Sequence, residues 1–397
     1  MAGQATWRFL KYWLATFVLL LAGLMLTNLW LDPLYLYHYE NVPRSASGFE
    51  REFKPWHYKQ LKDPEYVIIG NSRTDYGLDL GHLGEVKGYN FSVPGAGMTE
   101  LRRMFEHVVD NSQPSTVFLV VENFCDGGVA RKPVHLSGHI LQDLRSWFYR
   151  INYLISSQTL RDGLGALGKK QSAYYDRYGR RLAFMYINDT VSERMERREA
   201  ARVKINERAA ESRRPSTALC RTSSLQQIIN TSYDQGIDLK LIINPMHLRY
   251  LEIDHQFMLA ERKLTELKVH LVKAVADVAD RRSLEPVPIF DFQLVNSYTT
   301  EYFDYETVED LRYWSESSHY TKAMGDLMLD WIYASEPQRD AAFAALLTPD
   351  TVELHVEKQW QLFLDWRTTN PRVVEEIAEK YQTPYMSRLA LAPSGAK

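Results

Sequence analysis

The sequence predicts an α/β protein in which a three-layer α/β/α domain surrounds a central parallel sheet, with one N-terminal transmembrane helix and a helical insertion added to it. Three observations carry that prediction. Apolar runs of strand length alternate with stretches of helical spacing, an uncharged run stands near the start, and one long segment interrupts the alternation. Composition agrees, since 45% hydrophobic and 24% charged residues is the balance of a packed globular chain and sets aside disorder and low-complexity assembly. The net charge of −3, without a long block of one sign, excludes a nucleic-acid partner held through its phosphates. Two cysteines, Cys125 and Cys220, are too few for a disulfide scaffold or a four-thiolate zinc site and leave room for one optional bridge.

Residues 1–31 read as a signal anchor. Arg8 and Lys11 precede an uncharged run over 12–31, and about 20 residues at about 1.5 Å each cross a bilayer once. Trp13 and Trp30 stand near its two ends, as interfacial anchors do. No small-x-small cleavage pattern follows, and Asp32-Pro33 ends the run, so the helix is expected to stay attached. Basic residues ahead of it predict export of the rest. In a bacterium that means the inner membrane, with the bulk of the chain in the periplasm or outside, where Cys125 and Cys220 are free to oxidise.

Residues 32–64 form a polar, aromatic-dotted connector, and 65–335 the α/β domain. Strands are predicted at 66–69, stopped by Gly70, and then at 89–93, 116–121, 239–243 and 287–292. Helical spacing marks 99–111 through Leu101, Met104, Phe105 and Val108, and further helices are predicted at 255–280 and 320–333. The insertion covers about 129–224 and is too long for a plain loop, so it folds as a helical cap beside the site or as an interaction arm. It holds a Tyr-rich stretch and then a helix opened by Thr190-Val191-Ser192-Glu193, a capping-box pattern. In that helix Arg194, Arg197, Arg198 and Arg202 alternate with Glu193, Glu196 and Glu199, which reads as a solvated face of i,i+3 and i,i+4 pairs. Residues 336–397 read as a helical extension, with pieces at 339–347 and 352–366 and no assignable chemistry.

The first predicted strand runs into Gly70-Asn71-Ser72-Arg73-Thr74. Ligands of parallel sheets gather at the carboxyl ends of the strands, so Ser72 is a candidate nucleophile; as a bare turn the same residues would cap the next helix. A serine hydroxyl needs a base, oriented in turn by a third group. Late in the chain Glu316-Ser317-Ser318-His319 supplies both, because a carboxylate three residues before a His on a turn can hold its Nδ1 and leave Nε2 for the serine proton. Alone, His319 also fits a helix N-terminus facing solvent. Asp291, Asp304 and Asp310 are alternative acids. His135 and His139 have i,i+4 spacing, but Gly138 and the lack of a nearby carboxylate make them a poor metal site.

These blocks resemble those of the SGNH/GDSL hydrolase superfamily, with Gly-Asp-Ser after the first strand and Asp-x-x-His before the last helix. Here they read Gly70-Asn71-Ser72 and Glu316-Ser317-Ser318-His319, in the same chain order, with Asn71 and Glu316 each in the place of Asp. Between them lie Gly95, after the second strand, and Glu122-Asn123, after the third, the latter without the family's Gly-x-Asn-Asp setting. The resemblance implies a flavodoxin-like fold, Ser72 as nucleophile, His319 as base, and an oxyanion held by the Ser72 and Gly95 N–H groups and the Asn123 amide. Asn71 and Arg73, flanking Ser72, and Asn244-Pro245-Met246-His247 at the end of the fourth strand are candidate substrate contacts, His247 equally a structural cap. The last block is similar to one in membrane-anchored members of the group, the D-alanyl-transfer and alginate O-acetylation proteins of bacterial envelopes. That likeness implies acyl hydrolysis or transfer on a cell-envelope glycan, without a cofactor, and a membrane-bound acyltransferase as a candidate partner. Its rival is a catalytically silent scaffold or glycan-binding component with the same fold.

Overall fold

The computed structural model describes residues 2–38, 50–122, 124–126, 140–167, 175–182, 188–211, 220–303, 305–306 and 309–381. Helix α1 is Ala2–Leu31, and its stretch Thr6–Leu31 is long and apolar enough to cross a membrane, with almost none of it buried in the protein. Helix α2, Glu50–Gln60, follows within the predicted connector. The α/β domain opens with β1 (Tyr66–Ile69), α3 (Ser72–Gly77), β2 (Gly88–Asn90), α4 (Met98–Asn111) and β3 (Thr116–Val120). The insertion holds α5 (Ile140–Ile155), α6 (Ser157–Leu167) and α7 (Val191–Glu211). The domain resumes with α8 (Ser223–Gln235), β4 (Asp238–Ile243), α9 (Leu248–Gln256), α10 (Ala260–Leu264), α11 (Glu266–Arg282) and β5 (Ile289–Asp291). It closes with β6 (Trp314–Glu316), β7 (His319–Tyr320), α12 (Lys322–Tyr333), β8 (Ala345–Leu347), α13 (Val352–Thr369) and α14 (Pro371–Lys380).

The main sheet has the order β2-β1-β3-β4-β5-β8, parallel except for β8. Both faces are buried, and the strand period of two divides the core. Val67, Ile69, Val117, Leu119, Leu241 and Ile289 turn to one side and meet α4, α8, α11 and α13. Their neighbours Ile68, Phe118, Ile242 and Phe290 turn to the other and meet Met324, Met328 and Leu329 of α12. Helices thus cover both faces of a mostly parallel sheet, as the alternation of runs predicts. Strand order reverses between β1 and β3, which makes the crevice at their carboxyl ends the natural binding place. Ser72 and Glu122 leave the sheet there.

Three expectations need correction. The predicted helix 339–347 contains β8, which pairs antiparallel with β5 through Leu347 and Ile289, so the tail completes the sheet; edge pairing and burial of Leu347 override the helix propensity of an Ala-rich stretch. The predicted helix 255–280 is broken into the end of α9, α10 and α11. Met258 adopts a left-handed φ of 58°, and the turn brings Lys263 back onto Asp254. Nine residues along an unbroken helix would separate those two by about 13 Å of rise. Finally, α7 is only in part a solvated face: Arg197 stays exposed and pairs with Asp189, while Arg194 is buried and Arg198 and Arg202 are partly covered. Its capping box forms, with Thr190 N–H on Glu193 at 2.7 Å, but Arg202 reaches Asp254 at 2.6 Å and Glu199 pairs with the buried Arg249 at 2.8 Å. The helix packs on α9 because that is where its charges find partners.

Cys125 and Cys220 form a disulfide that closes the insertion at its base. Crosslinking residues 95 apart removes loop-closure entropy from the unfolded chain, a contribution of about 5 kcal/mol on that account. A second tie, the fully buried pair Lys54–Asp75, joins α2 to α3: the ammonium donates to Asp75 at 2.6 Å and to the Asn90 and Ser92 carbonyls at 3.0 and 2.6 Å, so all three of its protons are used.

Candidate active site

Gly70 ends β1 where the chain must pass close to its neighbours, since a Cβ there would come within 2.2 Å of Thr74 Oγ1 and 2.9 Å of Val120. Asn71 then caps α3, its side chain accepting the Arg73 N–H at 3.0 Å, and Ser72 becomes the first residue of the helix. On the far side of the sheet's end, β6 and β7 form an antiparallel pair turned by Ser317-Ser318, which sets Glu316 opposite His319. Trp314 fixes that hairpin by burying its ring and donating Nε1–H to the Tyr298 carbonyl at 2.7 Å. Tyr320 adds a hydrogen bond to Asn244 at 2.8 Å.

The two halves meet. His319 Nε2 lies 2.7 Å from Ser72 Oγ, and its Nδ1 is hydrogen-bonded to Glu316. With Glu316 ionised, Nδ1 carries the proton and Nε2 accepts from the serine hydroxyl. Glu316 also accepts the Ser318 N–H at 2.8 Å and has Arg198 of α7 at 3.8 Å. Burial pushes the Glu316 carboxyl up, but His319, their hydrogen bond and Arg198 outweigh it and hold it below its ordinary 4.5. Burial dominates at His319 and, helped by Arg198 and Arg73, holds the imidazole below its ordinary 6.5 despite Glu316. The ring is therefore neutral at pH 7 and able to take a proton. Tyr76 packs edge-on against it at 5.4 Å and restricts its rotation.

Ser72 lines a cavity of about 330 Å³. One wall is apolar, with Val121, Ile243 and Leu271; the other gathers Arg198 and Arg202 of α7, Lys263 and Tyr250. The guanidinium carbons of Arg73, Arg198 and Arg202 lie 6.0, 5.5 and 4.9 Å from the Tyr250 ring centroid. Gly95 also lines the cavity with φ of 70°, a left-handed conformation that only glycine takes without strain. A hydroxyl, a neutral base, an acid and a neighbouring backbone turn around a partly open cavity can perform acyl transfer.

The remaining predicted residues are placed as follows. Asn71 and Arg73 line the cavity, but both side chains are held by Glu122, Asn71 Nδ2 at 3.3 Å and Arg73 by an ion pair. Asn123, His135, His139 and Asp304 lie outside the described residues. Asn244 is fully buried and serves the Tyr320 hydroxyl, away from the cavity. His247 is a cap and not a substrate contact: Nδ1 accepts the Arg249 N–H that opens α9, Nε2 meets the Glu301 carbonyl at 2.9 Å, and the ring stands edge-on to Trp314. Burial drives its pKa down to about 4, which suits a neutral structural ring. Asp310 pairs with Arg194, and Asp291 with Lys268 and His355, so neither touches His319. Sequence reasoning named Glu122 only as the neighbour of Asn123, and missed Tyr250, Lys263 and the cavity-facing side of α7. A signal was present for the last: Arg194, Arg198 and Arg202 recur every four residues, which puts them on one helix face. Compared with family models, curated proteins and solved structures, the chain matches none.

Proposed function

We propose that this protein is a membrane-anchored, extracytoplasmic serine acyl-esterase or O-acyltransferase of the SGNH type, acting on a cell-envelope glycan. The observation that carries the chemistry is the continuous hydrogen-bonded line from Glu316 through His319 to Ser72 Oγ at the cavity wall. Anchoring is supported by the apolar stretch Thr6–Leu31, and export by Arg8 and Lys11 near its start together with the Cys125–Cys220 bridge. The glycan rests on the resemblance of the Ser72 and His319 blocks. The cavity suits a short acyl group with part of the sugar that bears it.

In the first half-reaction Ser72 Oγ attacks the ester carbonyl as its proton passes to His319 Nε2. Negative charge on the carbonyl oxygen is met by the N–H groups of Ser72 and Gly95, and by the Asn123 amide if the family role carries over. His319 returns the proton to the departing alcohol, leaving the acyl group on Ser72. In the second half His319 takes the proton of water or of a sugar hydroxyl, which attacks the acyl-serine, and gives that proton to Ser72 Oγ as the acyl–oxygen bond breaks. Water makes the protein an esterase, a sugar hydroxyl a transferase.

The test is covalent. A fluorophosphonate should label the detergent-solubilised wild type at Ser72 and leave Ser72→Ala unlabelled. Absence of labelling in folded wild type would reject the acyl-enzyme and favour a silent scaffold.

A further inference from the structure

None of the described side chains of α5 and α6 lines the cavity, yet both helices pack on α1. Their joint is fixed to it: Asn28 of α1 donates Nδ2–H to the carbonyls of Leu154 and Ser156 at 2.6 and 3.0 Å. On α6, Gly163 lies so close to Leu31 that a Cβ would come within 2.7 Å of it. On α5, Tyr153 donates its hydroxyl to the buried Asp32 at 2.9 Å and accepts the Leu34 N–H at 3.0 Å. Near its end α1 buries Asn28, with Leu24 and Met25 half-buried on the same side, while Ala22, Gly23 and Leu26 stay exposed.

This attachment fixes depth. If the membrane segment starts after Lys11, the roughly 30 Å of hydrocarbon ends about 20 residues later, near Leu31. Elements bonded to Asn28 and Leu31 therefore stand at the outer headgroup level. The same two helices expose Trp147 and Phe148 of α5 (57 and 59%) and Leu164 and Leu167 of α6 (54 and 61%). Leu160, Leu164 and Leu167 make one stripe at i, i+4 and i+7, with Gln158, Arg161 and Asp162 beside it. In water such a surface costs about 25 cal/mol per Å². Beside a membrane helix it has an apolar phase to enter, and Trp is the side chain most at home at that boundary.

We propose that α5 and α6 form an interfacial lipid-binding wedge, with Trp147, Phe148, Leu164 and Leu167 seated at the acyl boundary of the outer leaflet. Lipid is the occupant because the surface is continuous with α1, which brings bilayer to that height. The proposal rests on the anchor reading of α1. It gives the domain two points of attachment, and rigidity passes inward: Tyr153 packs with Phe53 and Tyr175, and Lys54, next to Phe53, bonds Asp75 in the helix that starts at Ser72. The wedge would thus hold the Ser72 site at a set height over the membrane.

The test uses the full chain in lipid nanodiscs. Phe148→Cys and Leu164→Cys, each labelled with an NBD fluorophore, report the wedge; Leu19→Cys in α1 and Leu354→Cys on α13 report the anchor and the solvent. The native cysteines are paired, so each variant has one reactive thiol. Positions 148 and 164 should show blue-shifted emission, quenching by lipids spin-labelled near the headgroup, and little quenching by iodide. Position 19 should be quenched by labels deep in the acyl chains, and position 354 by iodide alone. Iodide access at 148 and 164 with position 19 still lipid-quenched would overturn the wedge and leave the anchor standing. Shielding of 148 and 164 from both quenchers would mean that protein covers the face, and the wedge would again fall. Loss of lipid quenching at position 19 would reject the anchor itself, and the wedge with it.

Discussion

Among the described residues, two carboxylate–histidine pairs stand near the carboxyl end of the sheet, and one of them touches a serine hydroxyl. At the first, Glu316 holds Nδ1 of His319, and the other ring nitrogen meets Ser72 Oγ at 2.7 Å. At the second, Asp291 accepts from His355 Nε2 at 2.9 Å, from Lys268 Nζ at 2.6 Å and from the Gln293 N–H at 3.0 Å. The Lys268 ammonium is bonded in turn to the Gln293 carbonyl. The second cluster satisfies its own charges and ties α11 and α13 to β5. The first leaves a neutral ring with one nitrogen directed at a hydroxyl beside a cavity. An acid next to a histidine does not identify a catalytic pair; what the second ring nitrogen faces does.

The widest separation should come from the nucleophile and the two histidines. Ser72→Ala and His319→Gln are expected to lower turnover of a small activated acetyl ester by about three orders of magnitude or more. Ser72→Ala should keep stability within about 1 kcal/mol of wild type, since it removes one hydroxyl at a partly exposed position. His355→Gln should leave kcat within a few-fold and lower the melting temperature. Steady-state kinetics and thermal melts on the same three variants decide it, and a crippled kcat in His355→Gln with a near-normal His319→Gln would reverse the assignment.

Next come the two acids. Glu316→Gln removes the acceptor that fixes the His319 tautomer and should cost about two to four orders of magnitude in kcat with a modest stability loss. Asp291→Asn strands the Lys268 ammonium in the interior and should cost about 3–5 kcal/mol of stability, while the folded fraction keeps its kcat. Asp291 also contributes pH dependence. Burial raises its pKa, but Lys268 and His355 outweigh burial and hold it below 3.8. Its stabilisation is complete above the unfolded-state value and is lost as pH falls through the lower folded-state value. Denaturant titrations of wild type and Asp291→Asn should therefore converge under strongly acidic conditions. A constant gap down to the most acidic point would show that the carboxylate's charge is not what stabilises.

How much of this was readable in the sequence follows from the range of the interactions. Strands β1 and β3 and the Ser72 and His319 blocks are local patterns, an apolar run with a stop or four residues on a tight turn, and the chain displays them directly. The choice between Glu316 and Asp291 is not local, because the two carboxylates differ in partners hundreds of residues away in one case and dozens in the other: Ser72 for the first, Lys268 and His355 for the second. The break after α9 has no Gly or Pro to announce it, only a buried Asp254 that rewards a turn bringing Lys263 back. The sheet-edge strand β8 hides in an Ala-rich stretch for the same reason, since its partner β5 lies more than fifty residues earlier. Helix α7 lies between these extremes. Its four-residue arginine spacing was visible, but alternating Glu residues made pairs within the helix look sufficient.

The smallest expected effect tests that helix. Arg198 lies 3.8 Å from Glu316 and lowers the affinity of both Glu316 and His319 for protons. With the base neutral in its working form, activity should fall as pH drops through the His319 pKa, which lies below 6.5 in the wild type. Removing the cation makes the imidazolium easier to form, so Arg198→Gln should move the acidic limb of kcat/KM upward. At pH 8, where the ring is neutral in both proteins, the two rates should differ little. Arg198→Lys keeps the charge on a shorter, non-planar head and should give a smaller displacement. A pH profile of all three proteins distinguishes this from a role in binding, which would lower kcat/KM by the same factor at every pH. It also distinguishes it from simple packing, which would lower stability without moving the limb. If the limb stays where it is in Arg198→Gln, the insertion shapes the cavity but does not tune its base.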